Sequence, residues 1–200
     1  MKNFKRILAA VLCVLTFVSI LPLTAFAAYE NTHVNTGNQI EDLIAVATTQ
    51  IGYKEGNNSS QLGGTVAGSG NYTKYGAWYG INPGAWCAMF VSWCANQAGL
   101  SSSIIPKHAS CDIGMQTFQQ RGRWQWSPAC GGGYVPKRGD IIYFRTKTNQ
   151  VTDSTHVGIV YNCDGGAVEC AQEIQTIVRA ECLAAKRRPN AASDYFKRQN

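Results

Sequence analysis

The chain reads as an α+β protein with a small antiparallel sheet, and three observations carry that expectation. Segments of helical periodicity come first, from Gln39, from Cys87 and from Cys111. Runs rich in β-branched and aromatic residues come later, at Ile141-Ile142-Tyr143-Phe144 and at His156-Val157-Gly158-Ile159-Val160-Tyr161. A polar, hairpin-like loop from Thr146 to Thr155 joins those two runs, as suits neighbouring antiparallel strands. The 200 residues are 45% hydrophobic, enough for one globular domain with a sizeable core, and no internal repeat is present.

The first element is a targeting segment. Met1-Lys2-Asn3-Phe4-Lys5-Arg6 is basic, Ile7 to Leu23 is mostly apolar, and Ala25-Phe26-Ala27 before Ala28 is a small-x-small cleavage site. Residues 1–28 are therefore expected to be a signal peptide, with the mature chain starting at Ala28 or Tyr29. An uncleaved membrane anchor is the rival reading, because the apolar run is long for a signal peptide; the Ala-x-Ala end favours cleavage, after which no stable membrane insertion is expected. Residues 29–38 are polar and read as a flexible mature N-terminus, with His33 solvated within it.

Ile40, Leu43, Ile44, Val46, Ala47 and Ile51 recur at helical spacing, so a helix is expected from Gln39 to Ile51, closed by Gly52. Gly56 to Gly70 is a Gly/Ser/Asn loop, long for a compact domain. In Asn71 to Gly80, Tyr72, Tyr75, Trp78 and Tyr79 stand among glycines; they either line a groove or pack beneath a turn. Cys87 to Gly99 carries no charge and follows the turn-rich Tyr79-Gly80-Ile81-Asn82-Pro83-Gly84, so it reads as a buried helix from Cys87 with Gly99 as its terminator. Another helix is expected from Cys111 to Arg121, after a loop in which His108 is expected to be exposed. After the two strands, Ala167 to Val178 reads as a third, and residues 179–200 as a basic tail without strand pattern.

Charge and cysteines narrow the function classes. Taking Lys2, Lys5 and Arg6 from 18 basic residues leaves 15 against 12 acidic ones, a net charge of about +3 for the mature chain. That suits an anionic polymer such as a cell wall and falls far short of a nucleic-acid footprint. Of the 8 cysteines, Cys13 leaves with the signal peptide. The odd number remaining keeps at least one thiol outside any disulfide within the monomer. No spacing suggests zinc, and no metal or cofactor is expected.

Cys87 at a helix's first turn meets unsatisfied N–H groups and the positive end of the helix dipole, which favour the nucleophilic thiolate. The competing reading is one more small buried hydrophobe, as Cys94 is taken to be. A base is needed, and His156 stands where the loop Asp153-Ser154-Thr155 meets an apolar strand, so the sheet fixes its backbone. Cysteine at a helix start, histidine on a sheet and a polar group behind it form a nucleophile, base and orienter arrangement.

Several stretches resemble the CHAP family, the cysteine- and histidine-dependent amidohydrolase/peptidase domains of bacterial wall hydrolases and phage lysins. They are Lys74-Tyr75-Gly76, Trp78-Tyr79-Gly80, Trp86 to Gly99, Ile104-Ile105-Pro106-Lys107, Ala109-Ser110-Cys111, Val135-Pro136-Lys137, Gly139-Asp140-Ile141-Ile142 and Asp153 to Val160. The resemblance implies a papain-like fold related to the NlpC/P60 group, its N-terminal helices packed on the small sheet, with the catalytic domain over 39–178. It implies Cys87 as nucleophile and His156 as base, and Tyr79 and Trp86 are expected at the substrate groove. The family's acid, followed by Gly-Asn, is not matched: Val168 to Gln175 has Gln172 in register from His156 and Glu173 one place on. Glu173 is taken as the third catalytic residue.

The function so implied is that of a monomeric peptidoglycan hydrolase, secreted and associated with the cell wall. It would act as an N-acetylmuramoyl-L-alanine amidase or cross-bridge endopeptidase through a thioester. The alternative is a catalytically impaired CHAP-fold protein that binds the wall or a partner.

Overall fold

A computed structural model describes residues 29–127, 131–144, 154–163, 168–171 and 177–180. Residues 1–28, expected to be a signal peptide, Gln172, Glu173 and the tail beyond Ala180 lie outside the described residues.

Helix α1, Gln39–Thr48, starts where Asn38 accepts a hydrogen bond from the Glu41 amide at 3.3 Å, with Glu41 and Asp42 in the first turn. It ends three residues before the expected Ile51. Thr48 and Thr49 turn their hydroxyls back onto the Ala45 and Val46 carbonyls at 2.8 and 2.7 Å. The Gln50 and Ile51 amides take i−3 partners, and Gly52 follows at φ +91°. Helix α2, Lys74–Tyr79, was not expected as a helix; Thr73 caps its start and Gly80 its end, and Tyr75 is completely buried.

Helix α3, Cys87–Gln97, begins as expected and buries every residue from Cys87 to Ala95. Gly99 at φ +68° closes it, with Leu100 N–H on the Ala95 carbonyl at 2.9 Å and Gly99 N–H on Asn96 at 3.0 Å. Helix α4, Cys111–Gln120, ends by the same device: Gly122 follows Arg121, and Arg123 N–H reaches the Phe118 carbonyl at 2.9 Å. The fully buried Met115 lies on its inner side.

Strands β1 (Ile141–Phe144), β2 (His156–Cys163), β3 (Val168–Ala171) and β4 (Ile177–Ala180) form one antiparallel sheet in chain order. The stretch expected as a single third strand is thus two, and β4 runs past the 179 boundary given to the tail. The sheet lies against the helices. Helix α3 is central, packing on α1, α2, α4 and β2, and Val157 and Ile159 of β2 join Leu43, Met89 and Phe90 in the core. The architecture is the expected α+β one.

Residues 29–38, expected to be flexible, are tied to the helices. The Tyr29 ring meets Tyr53 edge-on at 5.5 Å, and Lys74 Nζ donates to the Tyr29 carbonyl. Asn31 donates to Gln97 at 3.4 Å, and His33 pairs with the buried Asp42 at 2.8 Å. The Thr36 and Gly37 amides also donate to Asp42. His33 is therefore half-buried in a hydrogen bond to Asp42 rather than solvated, because Asp42 sits inside the first turn of α1 and draws donors to it. Among the described residues no helix is long and apolar enough to cross a membrane.

Candidate active site

Cys87 is the first residue of α3 and is 6% exposed. The residue before it, Trp86, makes no side-chain cap, and the first turn holds no acid. The first-turn amides and the positive end of the dipole are thus left to act on whatever occupies the helix start, which favours a thiolate there. Cys94, two turns on, is fully buried, and burial pushes its thiol well up, so it belongs to the packing.

Trp86 is not at a groove surface. It is 4% exposed, stacked on Tyr75 at 5.4 Å, and its Nε1–H donates to Glu55 at 2.8 Å. The second Glu55 oxygen accepts from the Asn71 amide at 3.2 Å, so Glu55 ties the long Gly/Asn loop to the residue preceding Cys87. The expectation of a substrate-facing Trp86 is corrected: an aromatic ring with a satisfied N–H and a stacking partner is interior packing. Tyr79 remains half-exposed beside Trp78, and the Lys107 ammonium sits over both rings, 4.8 and 4.5 Å from their centres.

His156 is the first residue of β2 and is 7% exposed. It pairs across the sheet with Phe144, the two rings 5.8 Å apart. Ser154, two residues earlier, donates its amide to Asp112 Oδ1 at 2.6 Å and its hydroxyl to the Phe144 and His156 carbonyls at 3.2 Å. The start of α4 therefore joins the two halves of the site. Asp112 holds the approach to His156, and the adjacent Cys111 places its sulfur 3.5 Å from Cys87 Sγ.

His108, expected to be exposed, is 2% exposed and belongs to this neighbourhood. Its backbone is pinned to α3 by Ser92, whose hydroxyl donates to the His108 carbonyl at 2.8 Å and accepts from its amide at 2.9 Å. The Nδ1–H donates to the Pro106 carbonyl at 2.7 Å, which leaves Nε2 to accept from the Tyr143 hydroxyl at 3.0 Å. Burial lowers the His108 pKa against the opposing pull of the Pro106 carbonyl, so the ring stays neutral. Tyr143 pairs with Val157 and, one position before Phe144, points to the opposite face of the strand from it. Burial above all raises its phenol, with Cys111 and then Cys87 adding to the effect. Gly114 makes the arrangement fit: a Cβ there would stand 2.3 Å from the His108 ring and 2.4 Å from the Tyr143 oxygen. The sequence signal for a buried His108 was Ser92, a lone hydroxyl in an uncharged buried helix that requires a polar partner.

Glu173, taken as the third catalytic residue, and Gln172 beside it lie outside the described residues. Among the described residues no group of three or more His, Cys, Asp or Glu side chains is placed to hold a metal ion.

Neither the curated proteins nor the solved structures include a significant match to this chain. A family model does match: residues 77–174 fit the CHAP domain, a span that takes in Cys87, α3, α4, β1 and His156. It begins inside α2, while α1, before it, packs on α3 in the same core. Over those residues the chain is similar to the CHAP domain.

Proposed function

We propose that the chain is an exported peptidoglycan hydrolase that cleaves an amide bond, either as an N-acetylmuramoyl-L-alanine amidase or as a cross-bridge endopeptidase. The observation that carries the reading is Cys87 at an uncapped helix start, joined through the first turn of α4 to the approach of His156. The mild positive charge of the mature chain suits an anionic wall.

In this mechanism the Cys87 thiolate attacks the carbonyl carbon of the scissile amide. The Cys87 N–H donates to the oxyanion that develops. His156 gives its proton to the leaving amine, which departs as the thioester forms. His156 then takes a proton from water as it attacks the thioester, releasing the acid product and Cys87. Glu173 is the residue assigned to orient the imidazole, and Tyr79 with Lys107 borders the approach.

The test is release of amines and loss of turbidity from purified walls. Cys87→Ala and His156→Ala are each expected to lower the rate by roughly 10³-fold or more. Undiminished activity in Cys87→Ala overturns the proposal, and wall binding without turnover in the unsubstituted chain supports the silent binding protein instead.

A further inference from the structure

We infer that Cys111 is a resolving thiol, and that Cys87 and Cys111 form a reversible disulfide that switches the site off. The inference rests on the reading of Cys87 as the activated nucleophile and adds a covalent modification to that site.

Three features of the structure converge on it. The two sulfurs are already 3.5 Å apart, so a bond of about 2.05 Å requires them to close by only ~1.5 Å. Both cysteines open helices whose first turns meet, but the two starts are unequal. Helix α3 has no side-chain cap and no first-turn acid, whereas α4 has the Ser110 cap at 3.3 Å and the Asp112 carboxylate beside Cys111. The thiolate is therefore favoured at Cys87 and opposed at Cys111, the asymmetry that an attacking thiol and a resolving thiol require. Finally, the absence of a side chain at Gly114 lets the first turn of α4 lie close against His108 and Tyr143.

The chemistry balances with a hydroperoxide as oxidant. The Cys87 thiolate attacks the peroxide O–O bond, giving a sulfenic acid and an alkoxide or hydroxide that takes up a proton; sulfur loses two electrons and the peroxide gains them. The Cys111 sulfur then attacks Cys87 Sγ, the S–S bond forms, the S–O bond breaks, and hydroxide leaves with the Cys111 proton as water. A dithiol reverses the change by two thiol–disulfide exchanges, returning both thiols and becoming a disulfide itself. While the bond stands, Cys87 has no thiolate to offer a substrate, and the sulfur is protected from irreversible sulfinic oxidation.

The test treats the purified mature chain with hydrogen peroxide and follows intact mass, the disulfide peptide map and wall hydrolysis. The unsubstituted chain is expected to lose two hydrogens, yield a peptide joining Cys87 to Cys111, and drop in activity roughly tenfold or more, with recovery in dithiothreitol. Cys111→Ser, with Cys111→Ala as a second variant, is expected to keep basal activity. Under peroxide each instead gains oxygen at Cys87, with no rescue by dithiothreitol once sulfinic acid has formed. Addition of oxygen to the unsubstituted chain, a disulfide from Cys87 to another cysteine, or equal recovery in the Cys111 variants overturns the inference. The joined peptide in a chain without wall activity sustains the disulfide and removes the hydrolase reading; an active chain that never forms it does the reverse.

Discussion

Helices α3 and α4 both begin on a cysteine, and the two starts are built differently. Ahead of α3 stands Trp86, whose indole is turned into the core to stack on Tyr75 and bond Glu55, leaving no side chain to cap the first amides. Ahead of α4 stands Ser110, which caps, followed by Asp112, which brings a negative charge into the first turn. One pair of sulfurs 3.5 Å apart thus experiences two environments. Burial is similar at 6% and 9%, so what distinguishes the two starts is whether the preceding residue has already satisfied the helix end.

The largest expected effect separates the two residues outright. Cys87→Ala should lower amine release from walls by roughly 10³-fold or more, while Cys111→Ala stays within about threefold of the unsubstituted chain. Equal losses would break the contrast. Next comes the spacer that lets α4 approach. Gly114→Ala must displace the His108 ring and the Tyr143 hydroxyl, and urea unfolding should show a loss of about 1–3 kcal/mol.

A smaller effect tests reactivity alone. Iodoacetamide near neutral pH should alkylate Cys87 about tenfold faster than Cys111, read by peptide mass mapping. Ser110→Ala sharpens the point by removing the α4 cap. It should cost about 1 kcal/mol in thermal or urea unfolding and raise the alkylation rate of Cys111, narrowing the gap between the two thiols.

Much of the fold that frames this contrast is legible in the residues. Asn38 and Ser110 mark helix starts, Gly99 and Gly122 mark ends, and the apolar runs at Ile141 and His156 are strands, because local capping, φ requirements and burial all agree at those positions. Helix α2 was hidden: Lys74–Tyr79 is too short for a period to show, and its aromatics imitate a surface cluster. Trp86 misled because its position beside Cys87 says nothing of Glu55, 31 residues earlier, which takes its N–H inside. His108 was missed for a similar reason, since its partners Ser92 and Tyr143 lie 16 and 35 residues away. The division of the last strand into β3 and β4 follows from pairing, which composition does not encode.

Asp42 gives the N-terminal segment a property of its own. The Thr36 amide above all, with the His33 ring and the Gly37 amide, holds this carboxyl down at about 2, below its ordinary 3.8. Its contribution is whole above pH 3.8 and disappears as acidity increases through pH 2, since a protonated carboxyl no longer answers those donors. Asp42→Asn should therefore flatten the decline of the unfolding temperature between those pH values. Residues 33–37 are fastened to α1 by a carboxylate clasp that strong acid opens, while the oily contact of Tyr29 on Tyr53 is indifferent to pH over that range.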